Sequence, residues 1–309
     1  MNQLPERDLP PGRHRLLKEH LMTEIRRPDE APARPRRRWL RPALVVGTVA
    51  VVTAVALTVA VPAGGDSPAP PSSATVALLE DIALAAEHQG GRYGEIRDDQ
   101  FVYIDSKVSY SRTGEGMKTK IPPLHRLEQW HSVDGTREGL MRESGRGEWP
   151  RDPEPQPGER NYDYATNYKH LSTLPTDADE MYEWLREVGP GYSEQETEQA
   201  MFVLVGDLIR SAIVPPEQSA ALYRAVARIP GVTVIENAVD AAGRKGVAIA
   251  REDPDNPSRD EWIFDKETYE FLGERTVASE DYSDVKEGTV TSNTAVLRRA
   301  VVDKPGQRP

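Results

Sequence analysis

The run from Ala43 to Val61, ALVVGTVAVVTAVALTVAV, constrains this chain more than any other segment. It carries no charge over 19 residues of Val, Ala, Leu and Thr with one Gly. As a helix it spans roughly 28 Å, the thickness of a bilayer's hydrocarbon core. Every backbone amide is then bonded within the segment, as lipid requires. A buried core segment or a pair of strands suits Val and Thr, but it does not account for the flanks.

Those flanks are asymmetric. Arg34, Arg36, Arg37, Arg38 and Arg41 crowd the N-terminal side around Trp39, and after the run no Lys or Arg occurs before Arg92. The positive-inside rule puts the N-terminus in the cytoplasm and the C-terminal part outside the cell membrane. A cleaved signal peptide is the competing reading, with small residues at Val61-Pro62-Ala63. However, the preceding region is too long and the apolar run exceeds the usual 7–15 residues of such leaders. An uncleaved signal anchor is therefore expected over 42–62. Small pairs at Ala43/Gly47, Ala50/Ala54 and Ala56/Ala60 could let two such helices pair as a homodimer.

Charge divides along the same line. The chain has 39 Lys+Arg against 50 Asp+Glu, a net of −11, yet residues 1–41 are net +5 and residues 62–309 net −16. The acidity argues against a nucleic-acid partner. With no Cys, disulfide scaffolds, thiolate metal sites and Cys nucleophiles are excluded.

Within the tail, RHRLLKEHLMTEIRR over 13–27 places Leu17, Leu21 and Ile25 at i,i+4 spacing, with Arg, Lys, Glu and His on the other face. This is an amphipathic helix of about four turns ended by Pro28. Alone it is marginal in water and needs a surface. The anionic inner leaflet of the bilayer is one, and an apolar groove on a cytoplasmic protein is another. A topogenic, poorly ordered tail is the plainer alternative.

The opening LPERDLPPGRHRLLKEHLMTEI, the Arg-rich stretch, the single Ala/Val-rich span and the large acidic ectodomain together resemble an actinobacterial family of single-pass membrane proteins of unknown function. Its members are often encoded beside extracytoplasmic-function sigma factors. The resemblance implies an anti-sigma-like or sensor role, with a sigma factor or other cytoplasmic protein as the tail's partner. It brings no catalytic residues. The zinc-type anti-sigma domain, built on His-x3-Cys-x2-Cys, is excluded because the chain has no Cys.

Beyond the span, PAGGDSPAPPSS over 62–73 reads as a Pro/Gly/Ser linker, with Ser72 or Ser73 capping a helix over 74–88 whose stripe is Val76, Leu79, Ala83 and Ala86. Alternation predicts strands over 101–111 and 125–133, a hairpin turn at Asp134-Gly135 and a returning strand over 136–142. Residues 144–160 hold four Pro and three Gly and read as a long loop or a boundary. Tyr162, Tyr164 and Tyr168 follow. They either pack inward or line a carbohydrate or peptide groove.

Helices are expected over 177–188, ended by Gly189-Pro190; over 194–211, behind a Ser193/Glu196 capping box; and over 216–228. Strands return over 232–239, 247–251, 261–265, 269–276 and 288–302. The fold class is α+β: a single N-terminal transmembrane helix plus an extracytoplasmic antiparallel-sheet domain packed with helices over 74–303, followed by a disordered end over 304–309. The string EWIFDKETYEFLGERTV resembles the strand–turn–strand repeats of bacterial lipoprotein carriers and periplasmic sigma-regulatory proteins. Those use an open half-barrel with helices in its mouth, so the resemblance implies lipid binding by analogy.

Chemistry is sparse. His125 and His131 share one strand face and suit either two metal ligands or, more plainly, a polar surface, since no third ligand is evident. Asp253, Asp255, Asn256 and Asp260 hint at a cation loop. Ser258 and Phe264 stand where such a loop needs Gly and Glu, so a solvated turn is expected. No cofactor, metal or catalytic residue is expected. The expected function is a non-enzymatic, membrane-anchored sensor or regulator; the alternative is a membrane-tethered extracytoplasmic ligand- or lipid-binding module.

Overall fold

The computed structural model describes residues 68–112 and 118–309. The amphipathic helix 13–27 with Leu17, Leu21 and Ile25, the arginines 34–41 and the span 42–62 lie outside the described residues. Among the described residues no helix is long and apolar enough to cross a membrane.

The described part is α+β, with one antiparallel sheet of nine strands and five α-helices. Helix α1 (Ser73–Glu87) leads into a meander of β1 (Phe101–Tyr110), β2 (His125–Ser132), β3 (Gly139–Glu143) and β4 (Gly147–Arg151). A 3₁₀ turn at Tyr162–Tyr164 and helices α2 (Tyr168–Leu171), α3 (Ala178–Tyr192), α4 (Thr197–Ser211) and α5 (Pro216–Val226) follow. A second meander then runs through β5 (Val232–Val239), β6 (Lys245–Glu252), β7 (Ser258–Phe264), β8 (Phe271–Ala278) and β9 (Val290–Val302). The spatial order is β4-β3-β2-β1-β9-β8-β7-β6-β5. One long-range pairing, β9 with β1, therefore joins two locally built hairpin series into one sheet.

Alternation along the strands decides the faces. Val102, Ile104, Val247, Ile249, Trp262 and Phe264 point to the helices and form the main core with Leu79, Ile82, Leu185, Leu204 and Leu222. Their neighbours Phe101 and Tyr103, with Trp130 and Val302, make a cluster on the other face, and Ala248 and Ile263 make a second one there. Phe202 stacks on Trp262 with ring centroids 3.8 Å apart, fixing α4 to the sheet. Such ring pairs add about 0.5–1.5 kcal/mol beyond the area they bury.

The helices start where local chemistry satisfies their free amides. Ser72 Oγ accepts from Thr75 N (3.1 Å) to begin α1, and Asp177 accepts from Asp179 N (2.8 Å) and Glu180 N (3.1 Å) to begin α3. Pro216 opens α5, where its missing N–H costs nothing.

Several expectations differ from this structure. Val76 is exposed, so only Leu79, Ala83 and Ala86 of the expected α1 stripe are buried. Asp134-Gly135 is not a two-residue hairpin: Trp130 pairs with Leu140, and Asp134 folds back to accept from Thr136 N at 3.0 Å, which widens the connection. The expected loop 144–160 contains β4, an edge strand that tolerates Pro150 because one side of an edge needs no ladder donor. Helix α3 runs through Pro190 to Tyr192 instead of ending before it. Ser193 is the C-cap of α3, and Glu196 alone caps α4 by accepting from Gln199 N at 3.0 Å, so the expected capping box does not form. Residues 304–309, expected to be disordered, lie on the outer face of β1–β3. There Trp130 Nε1 donates to Gln307 O (2.6 Å) and Arg308 meets Glu128. An apolar strand face and a buried carboxylate hold the tail that composition alone marks as free.

Candidate functional site

A β-bulge sets the geometry of the most distinctive site. Along β9, Val296 pairs with Ser106 and Arg298 with Asp105, leaving Leu297 as an extra residue. The extra residue reverses the alternation. Arg299, opposite Ile104, consequently turns toward the helices, whereas Arg298 faces out and donates to Pro309 O at 3.1 Å. Without the bulge the inward position would fall to Arg298.

Arg299 enters an open pocket of about 70 Å³ between α1, α4, α5 and the sheet. Ile82, Ala86, Ile209, Ile213, Tyr223 and Phe271 supply its walls, with Tyr93 and Glu270 also on its lining. The guanidinium lies over the Phe271 ring, 5.5 Å from its centroid, and Nη2 donates to Ile209 O in the last turn of α4. Its Nε is buried and has no hydrogen-bond partner among the described residues. Burial pulls the guanidinium below its ordinary pKa, and it stays a cation at any physiological pH. Burial likewise pushes the Tyr223 phenol up to about 12, so its hydroxyl is a neutral group on the same wall.

The contrast with the other buried ions gives Arg299 its meaning. Arg251, 1% exposed, donates to Gln199 Oε1 (2.7 Å), Glu196 Oε2 (2.9 Å) and Pro230 O (2.9 Å). Arg210 is paired with Asp207 and with Glu274. Glu261, fully buried, is held between Arg259 (2.8 Å) and Arg275 (2.7 Å). No carboxylate among the described residues lies within ion-pair distance of Arg299. Glu270, the nearest acidic group of the pocket, is engaged by Arg92 at 2.8 Å. Arg299 is half-buried with its Nε enclosed, and Glu270 acts on it only through space, so it is a cation without a direct ion pair, an arrangement that a ligand can complete.

The residues singled out from sequence are separated by the structure. His125 pairs with Glu143 (2.6 Å), while His131 is buried near Arg151 and Glu154. His131 is thus not on the polar surface expected of it, whereas His125 is half-buried at the sheet surface. Burial pushes Glu154 up, but Arg151, His131 and the Thr166 and Asn167 donors outweigh it and hold the carboxyl below its usual range. Among the described residues no group of three or more His, Cys, Asp or Glu is arranged to hold a metal. Asp253 is buried, accepting from Asp255 N (2.9 Å) and Asn256 Nδ2 (2.9 Å) and pinned by Gln195, and Asp260 takes donors from Gln199 (3.0 Å) and Thr276 (2.7 Å). The turn itself is solvated, with residues 254–256 exposed as expected, while Asp253 and Asp260 at its base tie it to α4. Tyr162 packs edge-on to His170 and Tyr164 to Tyr192, so these rings bind the helical layer to itself.

Sequence reasoning missed Arg299. The only signal was a charged pair, Arg298-Arg299, inside an apolar strand, and which of the two turns inward depends on the bulge. No protein-family model and no curated protein matches the chain.

Proposed function

We propose that this protein is a non-enzymatic, membrane-anchored sensor or regulator of an anti-sigma-like kind. One helix over 42–62 holds it in the cell membrane, the basic tail lies in the cytoplasm and the α+β domain lies outside. The observation that carries this reading is the pairing, in one chain, of an uncharged span behind an arginine cluster with a folded unit that holds a half-buried arginine, without a direct ion pair, in a small pocket. A pocket of that kind recognises a small molecule, and the amphipathic helix 13–27 offers Leu17, Leu21 and Ile25 to a cytoplasmic partner.

Two measurements test it. A reporter fused after Ala63 is active outside the cell and one at Pro28 inside; the reverse result overturns the topology. The full chain, and a peptide of residues 1–41, captures a sigma factor or other defined cytoplasmic protein through Leu17, Leu21 and Ile25, and capture that survives Leu17→Glu with Leu21→Glu removes the role of that face. A second reading, a tethered extracytoplasmic binding module with no signalling role, is favoured by the pocket alone. Under it, replacing residues 1–61 with an unrelated signal anchor leaves function intact, whereas the regulator reading requires that the swap abolish it.

A further inference from the structure

We infer that the Arg299 pocket binds a short monocarboxylate, an aliphatic acid of about four to six carbons, with its carboxylate on the guanidinium and its chain among Ile82, Ala86 and Ile213. The inference deepens the sensor reading by naming the class of molecule sensed, and it rests on the folded domain being that sensor's binding part.

The charge argument fixes the head group. Two cations, Arg92 and Arg299, face one carboxylate, Glu270, and Arg92 is committed to Glu270 at 2.8 Å. Glu270 also acts on Arg299 through space, but one carboxylate serves two cations, and Arg299 is the one without a direct ion pair. Its Nε–H is buried without an acceptor, and Nη2 is spent on a backbone carbonyl. A guanidinium donates charge-assisted hydrogen bonds to a carboxylate, and a desolvated contact of that kind is much stronger than its counterpart in water. A neutral alcohol satisfies one donor and leaves the charge; an ammonium is repelled.

The walls fix the tail. The pocket space of about 70 Å³ holds about five waters' worth of volume. That admits a chain of a few carbons and excludes a long acyl chain lying wholly inside. Ile82, Ala86, Ile209, Ile213 and Phe271 form an aliphatic and aromatic side to the pocket, and a short chain laid against them is withdrawn from water. The Tyr223 hydroxyl, Gln89, Ser219 and Glu270 are further polar groups on the lining.

The test uses the full chain in nanodiscs of uncharged lipid, with calorimetry and thermal melting against acetate, butyrate, hexanoate, butanol and butylammonium. Butyrate or hexanoate binds, raises the melting temperature and does so at least tenfold more tightly than acetate or butanol; butylammonium does not bind. Arg299→Met fills the site with an apolar chain of similar length, and removing an unpaired buried charge leaves the fold as stable or more so. That variant keeps its melting transition and loses at least tenfold in acid affinity. Arg299→Lys retains part of the binding, because the charge remains and the fork is lost.

Equal affinity of wild type and Arg299→Met, equal affinity for butyrate and butanol, or no binding of any acid overturns the inference. The sensor reading fails separately. Acid binding with no cytoplasmic capture by the tail removes the regulator and keeps the ligand, and capture with no acid binding does the opposite.

Discussion

Arg308 and Glu128, 180 residues apart in sequence, form a two-point ion pair with Nε 2.6 Å from Oε1 and Nη2 2.5 Å from Oε2. Glu128 is almost completely buried on the outer sheet face, and Tyr103 donates to it at 2.7 Å. Arg126 and Arg142 stand at 3.5 and 3.7 Å. The pair is therefore the outer-face counterpart of the well-compensated ions inside, and it fastens the last residues to the strands that begin the first meander.

Stability should fall in acid through this group. The Arg308 hydrogen bonds, then the Tyr103 hydroxyl and the surrounding arginines, overcome the cost of burial and hold Glu128 down to about 2, against 4.5 for the unperturbed group. The folded value is the lower one, so the contribution is complete above about pH 4.5 and is lost as pH falls toward 2. A shift of that kind, discounted for the exposed partners, is worth on the order of 1–3 kcal/mol. Urea unfolding at pH 6 should show Glu128→Gln less stable than wild type, with the gap narrowing toward pH 3. A gap independent of pH would remove the linkage.

The tail itself gives a second expectation. Deleting residues 304–309 takes the Gln307 carbonyl from Trp130 Nε1 and Arg308 from Glu128. Trp130 then meets water, so its emission should shift to the red and the melting temperature should fall by a few degrees. An unchanged spectrum would mean the tail does not cover the ring in solution.

Glu261 provides a third. It sits between Arg259 and Arg275 with both oxygens taken. Glu261→Gln keeps the shape but leaves two cations facing each other across β7 and β8, and breaking a buried pair in this way costs about 3–5 kcal/mol. Because the two arginines are partly exposed, the lower end is expected, read as a drop in urea midpoint that added salt partly restores.

The sheet and most helices were legible because two periods dominate them. Val102 and Ile104, or Trp262 and Phe264, alternate with neighbours that face the other way, and Ser72 and Asp177 mark helix starts by their side-chain acceptors. What stayed hidden was set by tertiary context. Pro150 and two flanking glycines disguised β4, whose edge position removes the penalty those residues carry in a central strand. Pro190 disguised the last turn of α3. Arg299 was out of reach because a one-residue bulge, not visible in the alternation, chooses between two adjacent arginines.

The contact of Gly206 with Trp262 yields the sharpest mutational contrast. A Cβ added at Gly206 would stand 2.5 Å from Trp262 Nε1 and 3.2 Å from Cε2, and that indole is already stacked against Phe202. Propensity favours Ala over Gly in a helix by about 1 kcal/mol, whereas overpacking a closed core costs about 1–3 kcal/mol. With Trp262 nearly fully buried and stacked on Phe202, the clash should win and Gly206→Ala should lower stability. Gly191, in the last turn of α3, offers the opposite case. Its added Cβ meets the Tyr164 hydroxyl, the far end of a half-buried side chain that can swing aside. Gly191→Ala should therefore be neutral or mildly stabilising. Denaturant midpoints for the two variants should move apart; equal shifts would mean that the α4–sheet contact has more room than the stacked rings allow.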